Sequence, residues 1–189
     1  MKLKASHNSL SYLPFRCSFL KPFRSMCECQ NTGIFYQYIN RGVRVFDFRF
    51  RVVEHEPVIC HGLADFRGNI FWEAFEPLQS IFKIKNEDIY IQLVNEDTFH
   101  HSSKNDFLEL VTIIRNRFPD FKYSVVSSKK NWEQSIELNE FPSEESFPCF
   151  WRSQDSLIPH PKQFSIEHNP ENLKRYQEAQ NGIWWFDFV

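Results

Sequence analysis

The chain has 189 residues, 42% hydrophobic and 24% charged, which suits a globular protein and predicts a single domain over residues 1–189. Its formal net charge of −2 argues against bulk attraction to nucleic acid or anionic lipid, and no run approaches the roughly 18 apolar residues of a membrane span. Phenylalanine is the outlier at 21 copies, which points to a bulky aromatic core, with an aromatic membrane-contact surface as the alternative.

Met1 to Ala5 runs straight into a polar motif and leaves no room for a secretory signal, so a cytoplasmic location is expected. The five cysteines lack repeated metal-ligand spacing. Cys27-x-Cys29 is too tight for a zinc knuckle, and reduced, mostly buried thiols are expected. Taken in chain order, Leu3 to Ser6 reads as a strand leading to His7-Asn8. Ile34 to Arg41 reads as a helix stopped by Gly42.

Val43 to Phe50 alternates with period two. Phe46, Phe48 and Phe50 share one face, while Val43, Val45, Asp47 and Arg49 share the other. Such a strand is buried on both sides at its start and charged only at its C-terminal end. Pro57 to Cys60 leads to His61-Gly62, and Ile89 to Val94 leads to Asn95-Glu96-Asp97. Helices are expected over Phe71 to Phe82 and Asn105 to Phe118, the second carrying Phe107, Leu110, Val111 and Ile114 on one face. Tyr123 to Val126 leads to Lys129-Lys130, and Pro148 to Trp151 leads to Arg152. Gln163 to Ile166 is a weaker strand candidate. A helix from Pro170 to Gln180, capped by Asn169, precedes a last strand from Gly182 to Phe186 that ends at Asp187.

Strands alternating with helices imply βαβ units and a parallel sheet. The expected fold is α/β, a compact, distorted TIM-type (β/α) barrel. A full barrel takes about 250 residues, so some helices must be short or missing, chiefly between residues 128 and 170. Barrels place their chemistry at the C-terminal strand ends. There the chain offers His7-Asn8, Asp47-x-Arg49, His61-Gly62 and Asp187. Closure makes the first and last strands neighbours and brings His7 to Asp187. Two imidazoles, orienting carboxylates and a guanidinium suit phosphodiester cleavage, with one histidine as base, one as acid, and arginine offsetting phosphoryl charge. The bland alternative makes Asp47 and Arg49 an internal ion pair closing the barrel mouth. His55, His100, His101, His160 and His168 are expected in solvated loops. Glu96 and Asp97 are expected as loop or helix-capping acids.

Ser6-His7-Asn8-Ser9, Gln37, Gly42 to Arg49 and His61-Gly62, in that order, resemble the catalytic X region of phosphatidylinositol-specific phospholipase C. Gly182 to Phe188 is similar to that family's last barrel strand. The resemblance implies His7 as general base, Asp187 as its partner, His61 as general acid and Arg49 as the phosphate-binding arginine of the bacterial, metal-independent branch. It also implies Asp47 as a carboxylate holding the catalytic groups. Asn8 stands where the bacterial enzymes carry an aspartate assisting the acid histidine. Val94 stands where the branches carry lysine or glutamate. Lys129, Lys130 and Arg152 are candidate substrate contacts. The expected reaction cleaves a phosphatidylinositol-like or related polyol or glycolipid phosphodiester, giving a cyclic phosphate without cofactor or metal. The partner is a small-molecule or lipid head-group substrate, with peripheral membrane contact possible and no nucleic acid. Two rivals stand beside it. One is a hydrolase of glycerophosphodiester type using calcium or magnesium on Asp47, Glu96 and Asp187. The other is a non-catalytic barrel that binds a phospho-polyol or glycolipid head group.

Overall fold

The computed structural model describes residues 1–96, 103–127, 138–152, 158 and 160–189. Its elements run β1 (Lys2–Ser6), a 3-10 turn (Ser18–Phe23), α1 (Arg24–Cys27), α2 (Ile34–Arg41), β2 (Val43–Val53), β3 (Glu56–His61) and β4 (Ala64–Asp65). Then come a π-helical stretch (Phe71–Phe75), α3 (Glu76–Lys85), β5 (Tyr90–Asn95), α4 (Lys104–Arg117), β6 (Lys122–Ser127), β7 (Ser146–Cys149), α5 (Pro161–Glu178) and β8 (Gly182–Phe186). Gly42 ends α2 in the left-handed conformation that glycine tolerates best, at φ 69°.

Six strands form a curled parallel sheet in the order β6-β5-β2-β1-β8-β7. Among the described residues β6 and β7 do not pair, so the barrel stays open there. The segment at 138–140 instead folds back on the β6 edge, with Val125 N–H donating to Leu138 O and Glu140 N–H to Tyr123 O. The strand at Pro57 to Cys60 is not a parallel barrel strand. It is antiparallel to the far end of β2 through the two-residue turn Glu54-His55, because β2 outruns β1 and leaves its last residues a free edge.

Period two sorts the side chains into two cores. Phe46, Phe48 and Phe50 face outward, where Phe75 and Phe107 pack on them. Leu3, Ala5, Val45, Tyr90, Ile183 and Trp185 fill the interior of the curl. Between 161 and 178 the expectations need correction. Gln163 to Ile166 is helical, Pro161 rather than Pro170 opens α5, and Pro170 lies inside it. Proline fixes a helical φ at either site, so composition alone did not choose between them. Asn169 is no cap; its Nδ2 donates to Asp187 O at 2.9 Å. His168 is exposed on the same helix rather than in a loop.

Candidate active site

Register builds the site. Ala5 lies opposite Val45 and Trp185, and Val45 opposite Tyr90. One step of two residues along each strand lifts His7, Asp47, Gln92 and Asp187 into the next interior layer. A further step reaches Arg49 and Val94, and one more along β5's exit reaches Glu96. The loop carrying His7 is held by buried polar groups. Ser6 Oγ donates to Gln37 Oε1 (2.7 Å), Gln37 Nε2 donates to Ser9 O (3.0 Å), and Asp47 N–H donates to Ser9 Oγ (3.0 Å). Gln30 Nε2 ties His7 O to Phe186 O across the β1–β8 junction. A glutamine supplies two donors and two acceptors, which suits it to satisfying buried backbone groups of this kind.

His7 Nδ1 lies 2.7 Å from Asp187 Oδ1, and its Nε2 lies 2.8 Å from Arg49 Nη2. A guanidinium only donates, so Nε2 accepts and the proton shared with Asp187 sits on the Nδ1 side. Burial first, then Arg49, lowers the His7 pKa well below the usual imidazole value. Burial pushes the Asp187 carboxyl up to about 7, against the Trp151 N–H that donates to it and the Cys29 thiol beside it. Phe150 stacks on the His7 ring at 4.0 Å between centroids.

Arg49 donates Nε to Asp47 Oδ2 and Nη1 to Glu96 Oε2, both at 2.9 Å. The internal ion pair envisaged for Asp47 and Arg49 therefore exists, and Arg49 turns a third donor toward His7. Burial disfavours its charge, but the two carboxylates more than offset that and raise its pKa. Glu96 is held near 2 although burial acts the other way, through Arg49, His61 and the Gly62 N–H that donates to Oε1. Glu96 was expected as a loop or capping acid. Its place on the interior face two residues beyond Val94 was the sequence signal for more. His61 Nδ1 donates to Cys27 O at 2.9 Å, which leaves Nε2 for other partners. The His61 and His7 rings are perpendicular, with centroids 6.0 Å apart.

Asn8 sits buried beside Asp47. Its peptide N–H donates to Asp47 Oδ2, and its buried side-chain atoms have no partner among the described residues. Val94 faces inward and supplies no charge. Arg152 does reach the site: it lines a cavity of about 350 Å³ with His7, Arg49, Gln92 and Phe150. Lys129 and Lys130 lie outside the described residues, as do Asp97, His100 and His101. A second cavity of about 490 Å³, walled by His61, Phe15, Leu20, Phe23, Met26 and Trp151, is almost wholly apolar.

The half-open parallel barrel, in which the first and last strands are neighbours, has the fold of solved phospholipase C structures. Among solved structures the chain is similar to the phosphatidylinositol-specific phospholipase C of Listeria monocytogenes, at 14% identity and a TM-score of 0.68, over 100% of this chain and 88% of that one. A double mutant of the Staphylococcus aureus enzyme matches at 12% identity and a TM-score of 0.68, over 98% and 84%. An S. aureus structure concerned with membrane binding matches at 11% and 0.65. No family model and no curated protein sequence matches.

Proposed function

We propose that this protein is a phosphodiesterase of the lyase type that cleaves a phosphatidylinositol-like phosphodiester into a cyclic phosphate and a free alcohol. The observation that carries this reading is the join of His7 to both Asp187 and Arg49 beside His61. The substrate's phosphoryl group draws Arg49 from His7 Nε2, and that freed lone pair takes the proton of a neighbouring hydroxyl. The resulting alkoxide attacks phosphorus. His61 in its protonated form gives a proton from Nε2 to the departing oxygen, and Asp187 steadies the imidazolium forming at His7.

The apolar cavity against His61 supports a hydrophobic leaving alcohol, since the acid must sit where that alcohol departs. In the polar cavity, Gln92 and Arg152 stand ready for a polyol ring. The reading is metal-independent: Arg49 already lies between Asp47 and Glu96, in the position and with the charge sign a cation on those carboxylates would have. Phosphatidylinositol vesicles, then soluble inositol phosphodiesters, are incubated with the protein and followed by phosphorus NMR, with and without chelator. A cyclic phosphate whose rate ignores the chelator is expected. No product from any phosphodiester, or activity lost to chelator and restored by calcium or magnesium, overturns the reading.

A further inference from the structure

Cys29 has no part in the acid–base scheme, yet it is buried at the centre of the site. Its Sγ lies 3.9 Å from His61 Nδ1 and within 4.8 Å of Asp187. One donor atom each from His7, Cys29 and Asp187 lie within 4.8 Å of one another. We propose that His7 Nδ1, Cys29 Sγ and Asp187 Oδ1 form a three-ligand site for a divalent transition ion of the zinc type, with a water completing the tetrahedron, and that its occupancy switches His7 off as a base. The switching half rests on the acid–base reading above; the binding half does not.

The donor set selects the ion. An imidazole nitrogen, a thiolate and a carboxylate, with a water in the fourth position, match tetrahedral zinc, whereas calcium and magnesium take oxygen. Zinc bonds of about 2.0–2.3 Å put neighbouring donors roughly 3.3–3.7 Å apart. The 2.7 Å His7–Asp187 contact must therefore open slightly and the wider separations close by about an ångström.

Binding releases the thiol proton to solvent, since zinc binds the thiolate. At His7 the metal replaces the proton on Nδ1, and that proton moves to Nε2. The nitrogen that must accept the substrate's hydroxyl proton then carries one of its own, and Arg49 Nη2, itself a donor at 2.8 Å, must turn away from it. One ion thus disables the base without filling the substrate cavity.

The test is titration of the metal-free full-length chain with cobalt(II), which reports thiolate ligation by near-ultraviolet charge transfer and four-coordination by intense visible bands. Both signals are expected at one equivalent and should disappear on zinc addition. Cys29→Ser should lose the charge-transfer band and weaken zinc by about 100-fold, given that loss of an outer-shell partner alone weakens metals 10–100-fold. Cys27→Ser should keep the band, and the circular dichroism of each metal-free variant verifies folding. In assays on phosphatidylinositol vesicles, zinc should inhibit wild type and require about 100-fold more to inhibit Cys29→Ser. A band that survives Cys29→Ser, a band lost in Cys27→Ser instead, or no stoichiometric cobalt binding overturns the site. Zinc binding without inhibition overturns the switch. A cobalt spectrum in a protein that cleaves no phosphodiester leaves the site standing and removes the function proposed above.

Discussion

At His7 the two ring nitrogens face opposite charges, a carboxylate at 2.7 Å and a guanidinium at 2.8 Å. Burial and Arg49 both favour the neutral ring, the form a general base needs. Arg49→Gln removes one of those causes and leaves Asp47 and Glu96, which act in the opposite sense. The His7 pKa should therefore rise in that variant, and an NMR titration of the imidazole signals would read the shift. His7→Ala and His61→Ala should each lower turnover by about 10²–10⁴-fold, checked by initial rates on vesicles. At Glu96 the folded pKa of about 2 lies below a free glutamate's 4.5. Its stabilisation is thus complete above about pH 4.5 and lost as pH falls through 2. Glu96→Gln should be less stable than wild type by on the order of 3 kcal/mol at pH 7. In urea melts across pH that gap should close on acidification.

The β2–β3 hairpin and the start of β8 carry the clearest local strain. Glu54 and His55 form the two-residue turn with φ of 51° and 65°. That pattern belongs to a type I′ turn, for which Asn-Gly is the favoured pair. Changing Glu54→Asn together with His55→Gly should stabilise the protein by about 1 kcal/mol, seen as a higher thermal midpoint. Gly182 opens β8 at φ 101°, and a β-carbon there would meet the Phe147 ring at 2.6 Å. Gly182→Ala should therefore destabilise by roughly 2 kcal/mol or more, measured by denaturant unfolding. Because His61 sits on the hairpin and Asp187 just beyond β8, these two elements also position the site.

Across the whole molecule, β8 lies between β1 and β7, and the last residues are stitched to the loop between α1 and α2 by Val189 N–H donating to Gln30 Oε1 and Phe188 N–H donating to Cys29 O. Deleting residues 182–189 removes an interior strand together with Asp187. The truncated chain should show no cooperative unfolding transition by circular dichroism. No helix among the described residues is long and apolar enough to cross a membrane. Instead, Phe19, Phe23 and Leu63 are exposed around the apolar cavity's elements, at 71%, 52% and 62%. An apolar rim beside the proposed leaving-group cavity suits contact with a lipid surface. Phe19→Ser should lower vesicle binding in sedimentation while leaving turnover of a soluble phosphodiester unchanged.

Much of this was legible in the residues. Alternation in Val45 to Phe50 predicted which side chains face the helices and which face the interior, because a strand's period is set by backbone geometry alone. Val43, expected on the inner face, packs in the outer core instead, because the β1–β2 register shifts between Lys4 and Ala5. The strand-end polar clusters predicted that His7, Arg49, His61 and Asp187 would meet, and they do. Other features depend on contacts that no local pattern encodes. The antiparallel turn-back of β3 follows from the unpaired end of β2, and the helix start at Pro161 from docking against the sheet. Glu96 reads as an ordinary loop acid until β5 and β2 are set in register, and Cys29 as an ordinary buried thiol until α1's exit brings it beside Asp187. Periodicity and local turn chemistry act over a few residues and survive in the sequence. Electrostatic partners chosen across the barrel act over the whole chain, and only the tertiary structure decides them.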